Sequence, residues 1–225
     1  MADSTALADA AAGNFSASVV HCPDWTVGDL VYHVYGVQYF WPRIVSERLQ
    51  PDQIDHPVRP PDAALIEAFR AGTEQLVAVL GAADPAMPVW TWAPQKDAGF
   101  VIRHQVQEAA VHRWDAENAV GAAAPIERAA AIDSIEEFLT FSADADAAPL
   151  RASVALEATD ADTTWLVDDA PGGLRWRRAD GASGSRLRGT ASGVLLWLYG
   201  RMPSDELSSG DPAVLDRLRA HLSTD

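Results

Sequence analysis

A single cysteine, Cys22, is all that the 225-residue chain contains, so no intramolecular disulfide can form and the fold must rest on its buried core. No stretch approaches the ~20 consecutive apolar residues of a membrane-spanning helix, and the opening MADSTALADAAAG has no basic segment of the kind that begins a secretory signal. These absences lead us to expect a cytoplasmic location. Positive charge is also scarce. Seventeen basic residues face 32 acidic ones, Lys96 is the only lysine, and the formal net charge is -15, which disfavours duplex nucleic acid and anionic membranes as partners. Common catalytic signatures are missing too. The run GASGSRLRG lacks the Lys-Ser/Thr that completes a phosphate-binding loop, and there is no G-x-S-x-G, C-x-x-C or H-E-x-x-H.

What is present is helical periodicity over the first two thirds. A short helix is expected at about Ala6 to Ala12. Thr26 followed by Asp29 reads as a capping box opening a long helix at Val27, whose Leu30, Val34, Val37, Trp41 and Ile44 recur at buried-face spacing until Pro42 interrupts it. The breaker-rich QPDQIDHPVRPPD is a loop. Further helices are expected over Ala63 to Leu80, closed by Gly81, over Ala98 to Val120, stopped by Gly121, and over Pro125 to Phe141. Between the second and third long helices lies the irregular PAMPVWTWAPQKDAG, whose Trp90 and Trp92 are candidates to wall a pocket.

After Ala143 the texture changes. SVALEATD, TTWLVDD, LRWRRA and SRLRGT alternate or are β-branched, with turn-forming residues between them, and ASGVLLWLYGR and DPAVLDRLRAHL close the chain as helices. The expected class is therefore α+β: an N-terminal helical bundle over residues 1–145, then a small α+β domain with an antiparallel sheet over 146–225.

Chemistry concentrates in RHQVQEAAVHRWDAE. Glu108 and His112 lie one helical turn apart on one face, so both side chains can reach a single divalent ion. His33, set in the apolar helical stripe of TVGDLVYHVYG, is the candidate third ligand. Two histidines, one carboxylate and an open position are the ligand set of a catalytic zinc-type centre. His104, Glu108, His112 and Asp115 fall within about 80° of one another on a helical wheel. Asp115 is placed either to orient the His112 imidazole or to pair with an arginine such as Arg113. His104 is either an extra cavity-lining ligand or base, or an exposed polar residue. His21 beside Cys22 is a poor chelating pair, and His56 and His221 have no supporting context.

Three strings, HCPDWTVGDLVYHVYG, EAAVHRWDAENAVG and LRGTASGVLLWLYGRMP, together resemble the mycothiol-dependent maleylpyruvate isomerase family, in the expected order and from about Cys22 to Pro203. The resemblance implies a DinB-like four-helix bundle in which His33, Glu108 and His112 hold a metal, usually zinc. It also implies a C-terminal domain like that of sterol carrier proteins. Arg201, in LYGRMP, stands where family members carry a Gly-Arg after the last hydrophobic helix. It is a candidate to hold a substrate carboxylate, the alternative being charge complementarity at a helix C-terminus. One departure is Gln107-Glu108 where many relatives have His-Glu.

The function so implied is metal-dependent activation of a low-molecular-weight thiol, mycothiol, for addition to an electrophilic small molecule, giving cis-trans isomerisation or S-transfer. Cys22 lies in no motif with the ligands, so the nucleophilic sulfur belongs to the cofactor. Two alternatives stay open: a thiol-independent metal lyase or cyclase on the same scaffold, and a non-catalytic small-molecule binding protein.

Overall fold

A computed structural model describes residues 1–142, 147–180, 184–203, 207–209 and 211–222. The chain divides into two compact units, Met1–Ala124 and Pro125–Asp225. The boundary expected at 145/146 falls within residues 143–146, outside the described residues, and the two compact units divide at 124/125.

The first unit holds four helices: α1 (Ala2–Ala11), α2 (Val27–Pro42), α3 (Asp62–Ala82) and α4 (Ala98–Ala119). Helix α1 packs chiefly on α4, and α2 chiefly on α3. One core cluster joins Leu7, Ala8 and Ala11 of α1 to Leu30, Val31 and Val34 of α2, Leu65 and Phe69 of α3 and Ala116 of α4. The bundle is thus completed by α1, while the helix over 125–141 belongs to the second unit. Periodicity understated α1 because its buried face is built largely from alanine, which lets helices approach closely while carrying little apolar signal. An ion pair adds direction: the buried Arg113 of α4 donates from Nε to Asp3 in the first turn of α1 at 3.0 Å, and from Nη1 to Glu117 at 2.6 Å.

The start of α2 follows from its cap. The Thr26 hydroxyl accepts from the Asp29 amide at 3.3 Å, and the Asp29 carboxylate accepts from the Thr26 amide at 2.9 Å, so two otherwise orphaned donors are satisfied. Helix α2 ends at Pro42 and passes into a π-helical turn over Arg43–Glu47, stopped by Arg48 in the left-handed region at φ 58°. This is the interruption that a proline without an amide hydrogen imposes. Helix α3 runs on through Gly81 to Ala82. Helix α4 is capped by Asp97, which accepts from the Phe100 amide, and it closes on Gly121 at φ 72°.

The second unit contains α5 (Arg128–Phe141), β1 (Val154–Ala158), β2 (Thr163–Ala170), β3 (Gly173–Arg178), β4 (Ser185–Gly189), α6 (Ala191–Leu198), β5 (Ser208–Ser209) and α7 (Pro212–Ala220). The sheet order is β3-β2-β1-β4-β5. Strands β1 to β3 form the expected antiparallel meander, with Leu156 opposite Trp165 and Val167 opposite Trp176. Strand β4 departs from it by pairing parallel to β1, Leu156 beside Leu187, so the sheet is mixed. The reason lies in the side chains. Strand β3 carries exposed Arg175, Arg177 and Arg178 and suits an edge, whereas β4 brings the fully buried Leu187 to the interior.

Helix α6 is buried at all eight positions. It ends at Gly200, φ 73°, where the Gly200 amide donates to the Trp197 carbonyl and the Arg201 amide to the Leu196 carbonyl. These paired bonds satisfy the last carbonyls of the helix. Glu136 of α5 accepts from the Trp165 indole at 2.9 Å and from Arg178 at 2.6 Å, tying α5 to the sheet.

Candidate metal centre

Helices α2 and α4 bring His33, Glu108 and His112 together across 75 residues of sequence. His33 lies in the second turn of α2, whose direction the Thr26 cap sets, while Glu108 and His112 are one turn apart on α4. His33 Nε2 is 3.0 Å from Glu108 Oε1, and His112 Nε2 is 3.3 Å from the same oxygen. One ligand atom from each residue lies within 4.8 Å of the others. Among the described residues this is the one such group of three. Ligand atoms about 2.0–2.2 Å from one tetrahedral ion stand about 3.4 Å apart, so two imidazoles and a carboxylate with these spacings fit a divalent, zinc-type ion. The side chains are 37% (His33), 19% (Glu108) and 12% (His112) exposed, which leaves an approach from solvent on the His33 side.

Two groups, Asp115 and Trp25, orient the imidazoles. Asp115, with no exposed side-chain surface, faces His112 Nδ1 at 3.2 Å and so leaves Nε2 turned towards Glu108. Of its two expected roles, the one on His112 is present, and Arg113 is engaged by Asp3 and Glu117. The Trp25 ring packs against His33 at 5.0 Å, and the His33 and His112 rings meet edge to face at 5.1 Å. Trp25 comes from the turn before α2, in which Asp24 takes φ 68° and the Val19 amide donates to the Trp25 carbonyl. Periodicity did not single out Trp25, because that turn is not helical. Its signal was position, one residue before the cap of the helix that carries His33.

Burial opposes charge on Glu108, but the facing His112 and the hydrogen bonds from His112 and His33 outweigh it. The carboxyl is held well below its usual range. Burial likewise opposes charge on His112, yet the Glu108 carboxylate and the Asp115 hydrogen bond raise it to about 9. Without an ion the centre is therefore a buried imidazolium-carboxylate pair, and a metal must displace the proton on His112.

The remaining candidates separate. His104, one turn before Glu108, stacks on Phe100 at 5.4 Å and meets Trp92 and Trp41 edge-on at 5.5 and 6.4 Å. It belongs to an aromatic cluster that includes Trp90, which stacks on Trp41. Arg201 lies in the second unit, where its Nη1 donates to the Tyr199 carbonyl at 2.8 Å. His21 packs on Trp114, and Cys22 borders the core of the first unit. His56 meets the Tyr32 hydroxyl, and the buried His221 bonds the Ala148 carbonyl at 2.7 Å. Gln107 is 2% exposed.

The family model described as "Mycothiol maleylpyruvate isomerase N-terminal domain" matches residues 1–117. No curated protein sequence matches significantly. Two solved structures of a mycothiol-dependent maleylpyruvate isomerase resemble the chain in fold. One is a histidine-to-alanine variant, with a TM-score of 0.65 at 14% identity, and the other has a TM-score of 0.62 at 15% identity. Each alignment covers 92% of this chain and 89% of the other. No helix among the described residues is long and apolar enough to cross a membrane.

Proposed function

The chain belongs to the mycothiol maleylpyruvate isomerase N-terminal domain family, and from that premise we propose that it is a metal-dependent enzyme using a low-molecular-weight thiol, mycothiol, on an electrophilic small molecule. The observation that carries this reading is the convergence of His33, Glu108 and His112 on one point with an open side. A bound divalent ion, zinc in this proposal, would supply a Lewis acid that keeps a coordinated thiol deprotonated at neutral pH. Addition of a thiolate to a conjugated double bond makes that bond single, permits rotation, and on reversal returns the thiol unchanged. At a carbon bearing a leaving group the same addition gives S-transfer.

The protein's own part is orientation and proton management. Asp115 holds the Nδ1 side of His112, so that loss of the Nε2 proton yields a neutral ligand in the correct tautomer. Trp25 restricts the swing of the more exposed His33 ring. Arg201 is assigned to a substrate carboxylate, as a guanidinium that can make a paired contact.

Metal content of the purified full chain, measured by inductively coupled plasma mass spectrometry beside His33→Ala and Glu108→Ala, tests the centre. The expected result is about one divalent ion per chain in the wild type and none in either variant, with mycothiol-dependent turnover lost in parallel. A well-folded wild type that takes up no metal after incubation with zinc overturns the proposal.

A further inference from the structure

Within the first unit, next to the candidate metal centre, lies a cavity of about 330 Å³. That is roughly twice the ~150 Å³ of an engineered apolar cavity that stays dry and takes up benzene. Its apolar wall is Val34 of α2, Leu76, Val77 and Leu80 of α3, and Ile102 and Val106 of α4. Val77 and Val106 are 41% and 46% exposed, and with Met1 they supply three of the six exposed large hydrophobic residues described. Half of these residues thus meet at one concavity, where a ligand would cover them.

The polar groups of the wall specify the occupant further. Asp3 and Glu108 both line the cavity, but Asp3 is paired with Arg113, and Glu108 with His33 and His112. Each carboxylate already has a partner, and no lysine or arginine side chain lines the wall, so an anion is disfavoured there. What remains is neutral. Gln105, 7% exposed, has its amide nitrogen unpartnered, and Gln38, 2% exposed, has its amide oxygen unpartnered. The Gln38 nitrogen is already committed to Thr73 at 2.8 Å, and its oxygen points at Gly72, where an added Cβ would stand only 2.8 Å away. Gln105 therefore carries an unused amide donor in the wall. Its nitrogen is buried, and a turn about the soft terminal torsion of the side chain is the motion that would present it to an occupant.

We propose that this cavity is a binding site for a small, neutral, mostly apolar molecule bearing one hydrogen-bond acceptor, which Gln105 reads. Gln105, the donor that reads the occupant, is not among the candidate metal ligands, although Glu108 lines the same wall.

The test uses the full chain with ¹³C-labelled methyl groups, titrated with cyclohexanone and, separately, with cyclohexanecarboxylate, the same ring carrying an anion. Cyclohexanone should shift the methyl resonances of Val77, Leu80, Ile102 and Val106 saturably, and the carboxylate should bind at least tenfold more weakly. Val106→Trp, and independently Val77→Trp, fill the cavity from half-exposed positions on different helices. Each should weaken cyclohexanone at least tenfold while leaving the methyl spectrum of the second unit unchanged. Gln105→Leu should weaken cyclohexanone severalfold. Absence of saturable shifts up to the solubility limit, equal binding of the anion, or unchanged binding in folded tryptophan variants overturns the site, and unchanged binding in Gln105→Leu overturns the role of the acceptor.

Discussion

Raising the pH from 7 to 9 should tighten zinc binding about fiftyfold, with a slope close to one proton per ion below pH 8, because His112 must be deprotonated before its Nε2 can serve as a ligand. The metal-free imidazole titrates at about 9, held up by Glu108 and Asp115 against the opposing effect of burial. At pH 7 it is two units below that value, so proton competition costs about 2.7 kcal/mol of apparent affinity. The sign is unambiguous: the metal-bound state holds fewer protons, so affinity rises with pH and levels off near 9. The same pair governs the stability of the metal-free protein. The raised His112 contributes fully below about 6.5 and is lost as pH climbs through 9, whereas the depressed Glu108 contributes above about 4.5 and is lost as acid protonates it. Competition with a chelator calibrated at each pH gives the slope. Calorimetry at pH 7.5 in two buffers of different ionisation enthalpy gives the proton count directly. A flat affinity between pH 7 and 9, or proton release near zero, would show that His112 is already neutral and would refute the ion-pair account of the empty centre.

Two further outcomes follow from named contacts. Asp115→Asn should lower zinc affinity ten- to hundredfold when measured at pH 9, where His112 protonation costs only about twofold, because a neutral amide holds the imidazole less firmly than the buried carboxylate does. In the same variant the pH slope should level off at a lower pH, and circular dichroism should report an unchanged fold. Thr26→Ala removes the hydroxyl that caps α2 and leaves the Asp29 amide without its acceptor, at a cost of about 1 kcal/mol in urea unfolding. Asp29, held at about 2 by its hydrogen bonds to Thr26 and Arg59, should then titrate closer to its ordinary value, which nuclear magnetic resonance of its carboxyl carbon can follow.

Several elements were legible because they depend on near neighbours in the chain. The i,i+4 spacing of Glu108 and His112 places them on one helical face whatever else the protein does, and the Thr26-Asp29 box marks the start of α2 through bonds spanning three residues. Pro42, Gly121 and the Gly200-Arg201 pair ended helices for reasons internal to each residue's backbone. The alternation in β1 to β3, with short turns between, was sufficient for a meander.

Other features required the packed chain. Nothing within a few residues of His33 indicates which helix it will face, and its meeting with Glu108 exists only because α2 and α4 pack side by side. Arg113 turns to Asp3 only because α1 packs there, a helix whose small-residue face carries little sequence signal yet completes the bundle. The parallel pairing of β4 with β1 reflects a competition for the sheet interior between Leu187 and an arginine-rich strand. Val77 and Val106 read as ordinary positions on helical faces, and their exposure beside a cavity emerges only when four helices leave a gap among them. Local periodicity determines which side chains share a face. Only long-range packing decides what that face meets.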